Sequence, residues 1–134
     1  YDVRKSAIAL FIAEVLYKCI REEGESERLY LFLEQSMLVL DELDSGYQNF
    51  QLQFLLKLSR FLGFGMDASI SFFHAFHADE IDVIRKLLDA SYATPVGMDR
   101  SKRQLLLSHI LDFYMQHVDG MRDLRSLNVL KEIF

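Results

Sequence analysis

The stretch from Asn49 to Phe64, NFQLQFLLKLSRFLGF, limits what this chain can fold into. Wound at 3.6 residues per turn, it places Phe50, Phe54, Leu58 and Phe61 on one face. Leu52, Leu55, Leu56 and Leu62 extend the apolar surface over roughly two-thirds of the circumference. Gln53, Lys57 and Arg60 are left as a narrow polar strip. A helix this apolar has to be enclosed by other helices. The expected fold is therefore all-α, a compact antiparallel bundle of about six helices around a central apolar one. Ser45 and Gln48 have the spacing of a capping box for its start. Gly63 stands where a left-handed residue ends a helix, with Phe64 beyond it to close on the last turn.

The remaining segments supply the helices around it. A first helix is predicted from Val3 to Glu23, ended by Gly24. Ala7, Leu10, Phe11, Glu14 and Tyr17 trace one of its faces, and Ile8, Ile12, Val15, Leu16, Cys19 and Ile20 an adjoining one. Ser26 is a natural N-cap for a second helix carrying Leu29, Leu33, Met37 and Leu40 at helical spacing. Asp44-Ser45-Gly46 is a turn signal. Gly65 to His77 has weak periodicity, with Ile70, Phe72, Phe73 and Phe76 among serines and histidines, and is expected to be an ordered connection. Helices follow over Asp79 to Tyr92 and Asp99 to His117, separated by Thr94-Pro95-Val96-Gly97. Asp119-Gly120 stops the long one, and a short final helix opens at Ser126 and buries Leu127, Leu130 and Phe134. At 134 residues, with no repeat or linker, residues 1–134 are expected to form a single domain.

Composition narrows the function classes. The net charge of −5 argues against a surface that grips nucleic acid all round, although the acidic residues concentrate at Glu22 to Glu27 and Asp41 to Asp44 and leave room for local basic patches. The single cysteine, Cys19, excludes an internal disulfide and a four-cysteine zinc site. The most apolar early segment, Ala7 to Ile20, is too short to span a bilayer and contains Glu14; it also lacks a signal-peptide cleavage pattern. A soluble cytoplasmic chain with no membrane association is expected. Because it opens with Tyr1 and not methionine, already inside a helical pattern, it is expected to be a piece of something longer.

No nucleophile–base arrangement, phosphate loop, HExxH or EF-hand pattern is present. His74 and His77, three apart and followed by Asp79 and Glu80, have metal-ligand character, but the sequence offers no second ligand cluster beside them. His109 and His117 read as histidines at the edge of the core. No catalytic residue, cofactor or metal is expected. Three small basic groups stand out: Lys57 with Arg60, Arg100 with Lys102 and Arg103, and Arg122 with Arg125. Most charges merely decorate solvated faces. The second group crowds a helix's first turn, the unfavourable end for cations, so its placement costs helix stability and points to a partner.

Four stretches in order resemble one family: Arg4-Lys5-Ser6-Ala7-Ile8-Ala9, LLKLSRFLGF from Leu55, LLSHILDFYMQHVDG from Leu106, and LRSLNVLKEIF to the end. Together they are similar to the carboxy-terminal helical part of RecO, including a Tyr-x-x-His helix (Tyr114, His117) and a tail of Leu124, Ser126, Leu127, Val129 and Leu130. The resemblance covers most of the chain apart from Gly65 to Ser91. It implies a recombination mediator that is not an enzyme, whose amino-terminal OB-fold is expected to lie outside residues 1–134. It also implies DNA binding (weak without the OB-fold), annealing of single strands, contact with the acidic Phe-terminated tail of single-stranded-DNA-binding protein, and work with RecR to load RecA. Many relatives carry a four-cysteine zinc module after the Leu62-Gly63-Phe64 equivalent; Gly65 to Ala78 has no cysteine, so zinc is not expected there. A helical module with an apolar groove rimmed by Lys57 and Arg60, floored in part by Phe61 and Leu62, suits an acidic peptide ending in an aromatic residue. Lys57, Arg60, Arg100, Lys102, Arg103, Arg122 and Arg125 are the expected partner contacts, for the tail peptide or for DNA. The alternative is a ligand-binding helical regulatory domain, which needs an enclosed cavity.

Overall fold

A computed structural model describes residues 2–20, 26–65 and 69–134, with the side chains of residues 69 and 70 outside the description. The described residues contain seven helices and no strand: α1 (Val3–Cys19), α2 (Glu27–Glu42), α3 (Phe50–Leu62), α4 (Ser69–His74), α5 (Ala78–Asp89), α6 (Arg100–His117) and α7 (Leu127–Ile133). Helix α3 lies at the centre, packed against α1, α2, α5 and α6, while α1 also meets α2 and α7. Nine of its thirteen residues are buried, including the polar Gln51, Gln53 and Ser59. The all-α expectation and the central role of this helix are both met.

Aromatic rings join the layers. Phe32 of α2 stacks on Phe61 at 4.8 Å and on Phe54 at 5.5 Å, and Phe50 stacks on Tyr92 at 4.4 Å. The Tyr114 hydroxyl, fully buried, donates to the Leu55 carbonyl and so fastens α6 to α3. Gly63 adopts φ +86°, the left-handed conformation expected of it. The turn sends Phe64 onto Phe113, Tyr114 and His117 of α6. Gly65 follows so close to α3 that a Cβ there would stand 2.7 Å from the Arg60 amide nitrogen. No larger residue fits without moving backbone.

Several local expectations are corrected. Helix α1 stops at Cys19, where Ile20 turns extended and its N–H closes on Leu16; Gly24 lies outside the described residues. On α1, Ala7 and Phe11 are buried, whereas Leu10 and Tyr17, assigned to the same face, are 64% and 85% exposed. The bundle lies on the Ile8, Ile12 and Val15 side instead. Ser45 and Gln48 do not cap α3: it starts later, after Asn49, whose side chain serves the Val96 carbonyl and Arg103 and not its own helix. The connection after Phe64 contains α4. Its weak periodicity reflects an element too short to show a repeat, held by Phe72 and Phe76 against Phe113 at 5.1 and 6.0 Å. The side chain of Ile70 is outside the described residues.

Phe54 and Leu58 are fully buried at the middle of α3. Replacing either with Ala is expected to lower unfolding free energy by about 2–5 kcal/mol, the range for truncations that leave a core cavity. Urea unfolding followed by circular dichroism checks this. Midpoints near wild type for both would remove α3 from the core.

Candidate partner-binding surface

Of the polar strip of α3, Gln53 is buried and Lys57 half-buried, and only Arg60 is exposed. Gln53 and Lys57 lie four apart on the side turned to the end of α5. The Gln53 amide donates to the Leu87 carbonyl at 3.2 Å and reaches those of Ala90 and Ser91 at 3.4 Å. Lys57 Nζ donates to the carbonyls of Leu88 and Ala90, each at 3.0 Å. The last carbonyls of a helix have no partner within it and form the negative end of its dipole, so an amide and an ammonium are the groups to place there. Burial pushes the Lys57 ammonium below its ordinary range, with the nearby charge of Arg60 adding to that.

Beside Lys57 a groove of about 270 Å³ opens between α2 and the residues following α5, lined by Phe32, Gln35, Ser36, Val39, Lys57, Ser91, Tyr92 and Ala93. Its inner wall is aromatic. Lys57 Nζ lies 5.8 Å from the centre of the Tyr92 ring, and the Tyr92 hydroxyl shares a 2.9 Å hydrogen bond with Ser36. Burial pushes that hydroxyl's pKa up to about 12, so Tyr92 is neutral at any physiological pH. The expected floor residues Phe61 and Leu62 do not line this groove; Phe32, stacked on Phe61, stands there instead. Arg60 is exposed one turn beyond Lys57.

The second basic group is largely occupied by the fold. Arg100 donates to the carbonyls of Lys131 and Glu132 at 2.7 and 2.9 Å, holding the end of α7. Arg103 donates to Asn49 Oδ1 at 3.0 Å and the Met98 carbonyl at 3.3 Å, and burial lowers its pKa. Lys102 comes within 4.0 Å of Asp79 in an exposed pair of small energetic weight. The cost expected from placing cations at this helix start is thus offset by acceptors from elsewhere and by Asp99, which caps α6 through the Lys102 amide at 2.8 Å. Arg122 and Arg125 are exposed between α6 and α7. They lie at the other end of α6 from Arg100, about 27 Å away along an 18-residue helix. The second and third groups therefore do not merge into one patch.

The four-cysteine zinc module of the resemblance does not fit, since Cys19 is the single cysteine and lies in α1 against Met121 Sδ at 3.7 Å. Of the His74, His77, Asp79 and Glu80 stretch, the fold brings His77 and Glu80 together, with His109 of α6 as an unexpected third member. Glu80, on α5, pairs with His109 of α6 and also accepts the His77 main-chain N–H at 3.0 Å. Twenty-nine residues separate Glu80 from His109, so no local spacing signals the pair. Among the described residues, no helix is long and apolar enough to cross a membrane.

Comparison with known proteins follows the same lines. The family profile described as Recombination protein O C terminal matches residues 1–86. The DNA repair protein RecO of Bacteroides fragilis is 38% identical, with all of this chain and 64% of that protein aligned. Those of Flavobacterium johnsoniae and Phocaeicola vulgatus are 35% and 36% identical, over 99% and 100% of this chain and 63% and 64% of their own lengths. The chain therefore spans a little under two-thirds of these curated relatives. No solved structure matches it.

Glu14 anchors the turn that carries Arg125. Its carboxylate accepts from the Arg125 and Ser126 amides at 2.8 and 2.9 Å and from the Ser126 hydroxyl at 2.6 Å. Burial alone would raise its pKa, but the Ser126 hydroxyl and the two amides hold it below the usual value. A lowered carboxyl pKa contributes stability above the ordinary carboxylate range and loses it as pH falls through the folded value. Glu14→Gln should therefore cost about 1 kcal/mol at neutral pH, after allowance for solvent screening. The gap from wild type should close in acid. Urea midpoints of both proteins at neutral and acidic pH test this; a gap that widens in acid would contradict it.

Proposed function

This chain belongs to the RecO family, and from that membership we propose that it forms the helical domain of a recombination mediator in DNA repair. It acts by binding, not by catalysis, in the cytoplasm, with RecR and single-stranded-DNA-binding protein as partners, toward strand annealing and RecA loading. The proposed contact for the acidic, Phe-terminated tail of the latter protein is the groove beside Lys57.

The observation that supports this reading is the half-buried Lys57 at the mouth of an apolar groove walled by Phe32, Val39 and Tyr92. An ammonium has three N–H donors, and the Leu88 and Ala90 carbonyls use two. The third suits a carboxylate, and burial of the charge strengthens that hydrogen bond. At about 270 Å³ the groove is smaller than the usual range for cofactor sites, which begins near about 300 Å³. It suits one aromatic side chain with its terminal carboxylate better than a large ligand. Arg60 adds positive potential for the acidic residues preceding the ring. Lys102, Arg122 and Arg125 are the further proposed contacts with DNA phosphates or partner carboxylates, along with whatever surface Arg100 and Arg103 retain.

Fluorescence anisotropy with a labelled acidic peptide ending in Phe, beside the same peptide lacking that residue, tests the reading. Loss of the ring should weaken binding by about tenfold or more, as burying an aromatic side chain contributes a few kcal/mol. Arg60→Glu should weaken it by several-fold and reduce its salt dependence. Lys57→Met, with folding checked by circular dichroism because Lys57 also holds α5, should weaken it further. Equal affinity for both peptides, or for wild type and both variants, would place the tail elsewhere.

A further inference from the structure

The start of α5, opposite the end held by Lys57, gathers three metal-binding side chains. His77 precedes the helix, Glu80 lies in its first turn, and His109 comes across from α6. One donor atom from each lies within 4.8 Å of the other two. Glu80 is only 3% exposed, whereas His77 is exposed and His109 partly so, leaving the cluster open to solvent on the histidine side. The His77 and His109 rings meet edge to face with centroids 5.5 Å apart.

A structural ion pair accounts for Glu80 and His109. The His77 side chain belongs to the capping box that opens α5, and this fixes its ring at the third corner, beside the Glu80–His109 pair. Two imidazoles and a carboxylate are the donor set of a borderline divalent metal, and three protein ligands with solvent access leave a position for water. We propose that His77, Glu80 and His109 bind one first-row divalent transition-metal ion, zinc being the best fit to the donors, and that the ion staples the start of α5 to α6. Nitrogen ligands disfavour magnesium and calcium. Zinc–ligand bonds of about 2.0–2.1 Å put neighbouring ligand atoms roughly 3.3 Å apart in a tetrahedral shell. The widest present separation must therefore close by about 1.5 Å, within reach of an exposed histidine changing rotamer. The ion takes the place of the proton between His109 Nδ1 and Glu80, and that proton leaves to solvent. Affinity should accordingly fall in acid. The site is independent of the peptide groove, which lies at the far end of a 12-residue helix, about 18 Å away.

The test uses the whole chain, freed of metal by chelator and dialysis, titrated with Co²⁺ in the visible range and with Zn²⁺ by calorimetry. The expected result is one equivalent bound, a Co²⁺ spectrum of low-coordinate type displaced by Zn²⁺, and a rise in thermal midpoint with Zn²⁺ but not Mg²⁺. His77→Ala removes an exposed ring that also caps α5, so its folding is checked by circular dichroism, and it should weaken Zn²⁺ binding on the order of tenfold or more. His77→Ala combined with His109→Asn should abolish the stoichiometric site. His74→Ala, which alters a neighbouring histidine outside the cluster, should bind as wild type does. Absence of stoichiometric binding to wild type, retention in the double variant, or an equal loss in His74→Ala would each overturn the proposal.

Discussion

Helix α3 is enclosed over most of its surface, and the consequences run through the whole molecule. A helix that meets α1, α2, α5 and α6 keeps little surface for water beyond Arg60, so the polar residues it buries need partners inside the protein. Gln53 and Lys57 find them at the unpaired carbonyls ending α5. Each side satisfies the other. A helix end buried without donors would be costly, and so would an amide or an ammonium buried without acceptors. The core helix and its neighbour are thus locked in register by polar as well as apolar contacts.

The same use of cations recurs. Lys5 donates to the Asp41 carbonyl near the end of α2 at 2.9 Å, Lys18 to that of Gly120 at 2.8 Å, and Arg100 to the last turn of α7. In a chain of net charge −5, Lys5, Lys18, Lys57, Arg100 and Arg103 all direct their charge at backbone carbonyls. A basic residue in this sequence is therefore a weaker sign of a binding surface than its charge suggests. Lys57 differs from the others because it sits at the mouth of an aromatic groove, where one side chain can hold a helix end and meet a ligand.

Helix α5 has two unlike ends. Its last turn faces Lys57 and the groove. Its first turn bears Glu80, a buried carboxylate at the end of the helix whose dipole favours negative charge, with His109 of α6 beside it. Phe72 of α4 and Phe76 just beyond it pack on Phe113, so the described part of this segment is held by aromatic contacts where the family resemblance would place cysteines around zinc.

Much of this was legible in the chain itself. The apolar run from Phe50 to Leu62, the Gly63 stop, the Ser26 cap and the helical spacing around Leu106, Ile110 and Phe113 are local signals, and each produced the element it implied. Helix boundaries and periodicity depend on hydrogen bonds and side chains within a few turns, which is why sequence alone determines them. Periodicity does not say which side of a helix meets the bundle when several sides carry apolar residues, hence the exposure of Leu10 and Tyr17. Nor could it show that Gln53 and Lys57 face the carbonyls of a helix some thirty residues on, that Arg100 holds α7, or that His109 reaches Glu80. Those assignments rest on which donors and acceptors the folded bundle brings within about 3 Å, a distance that only tertiary packing sets.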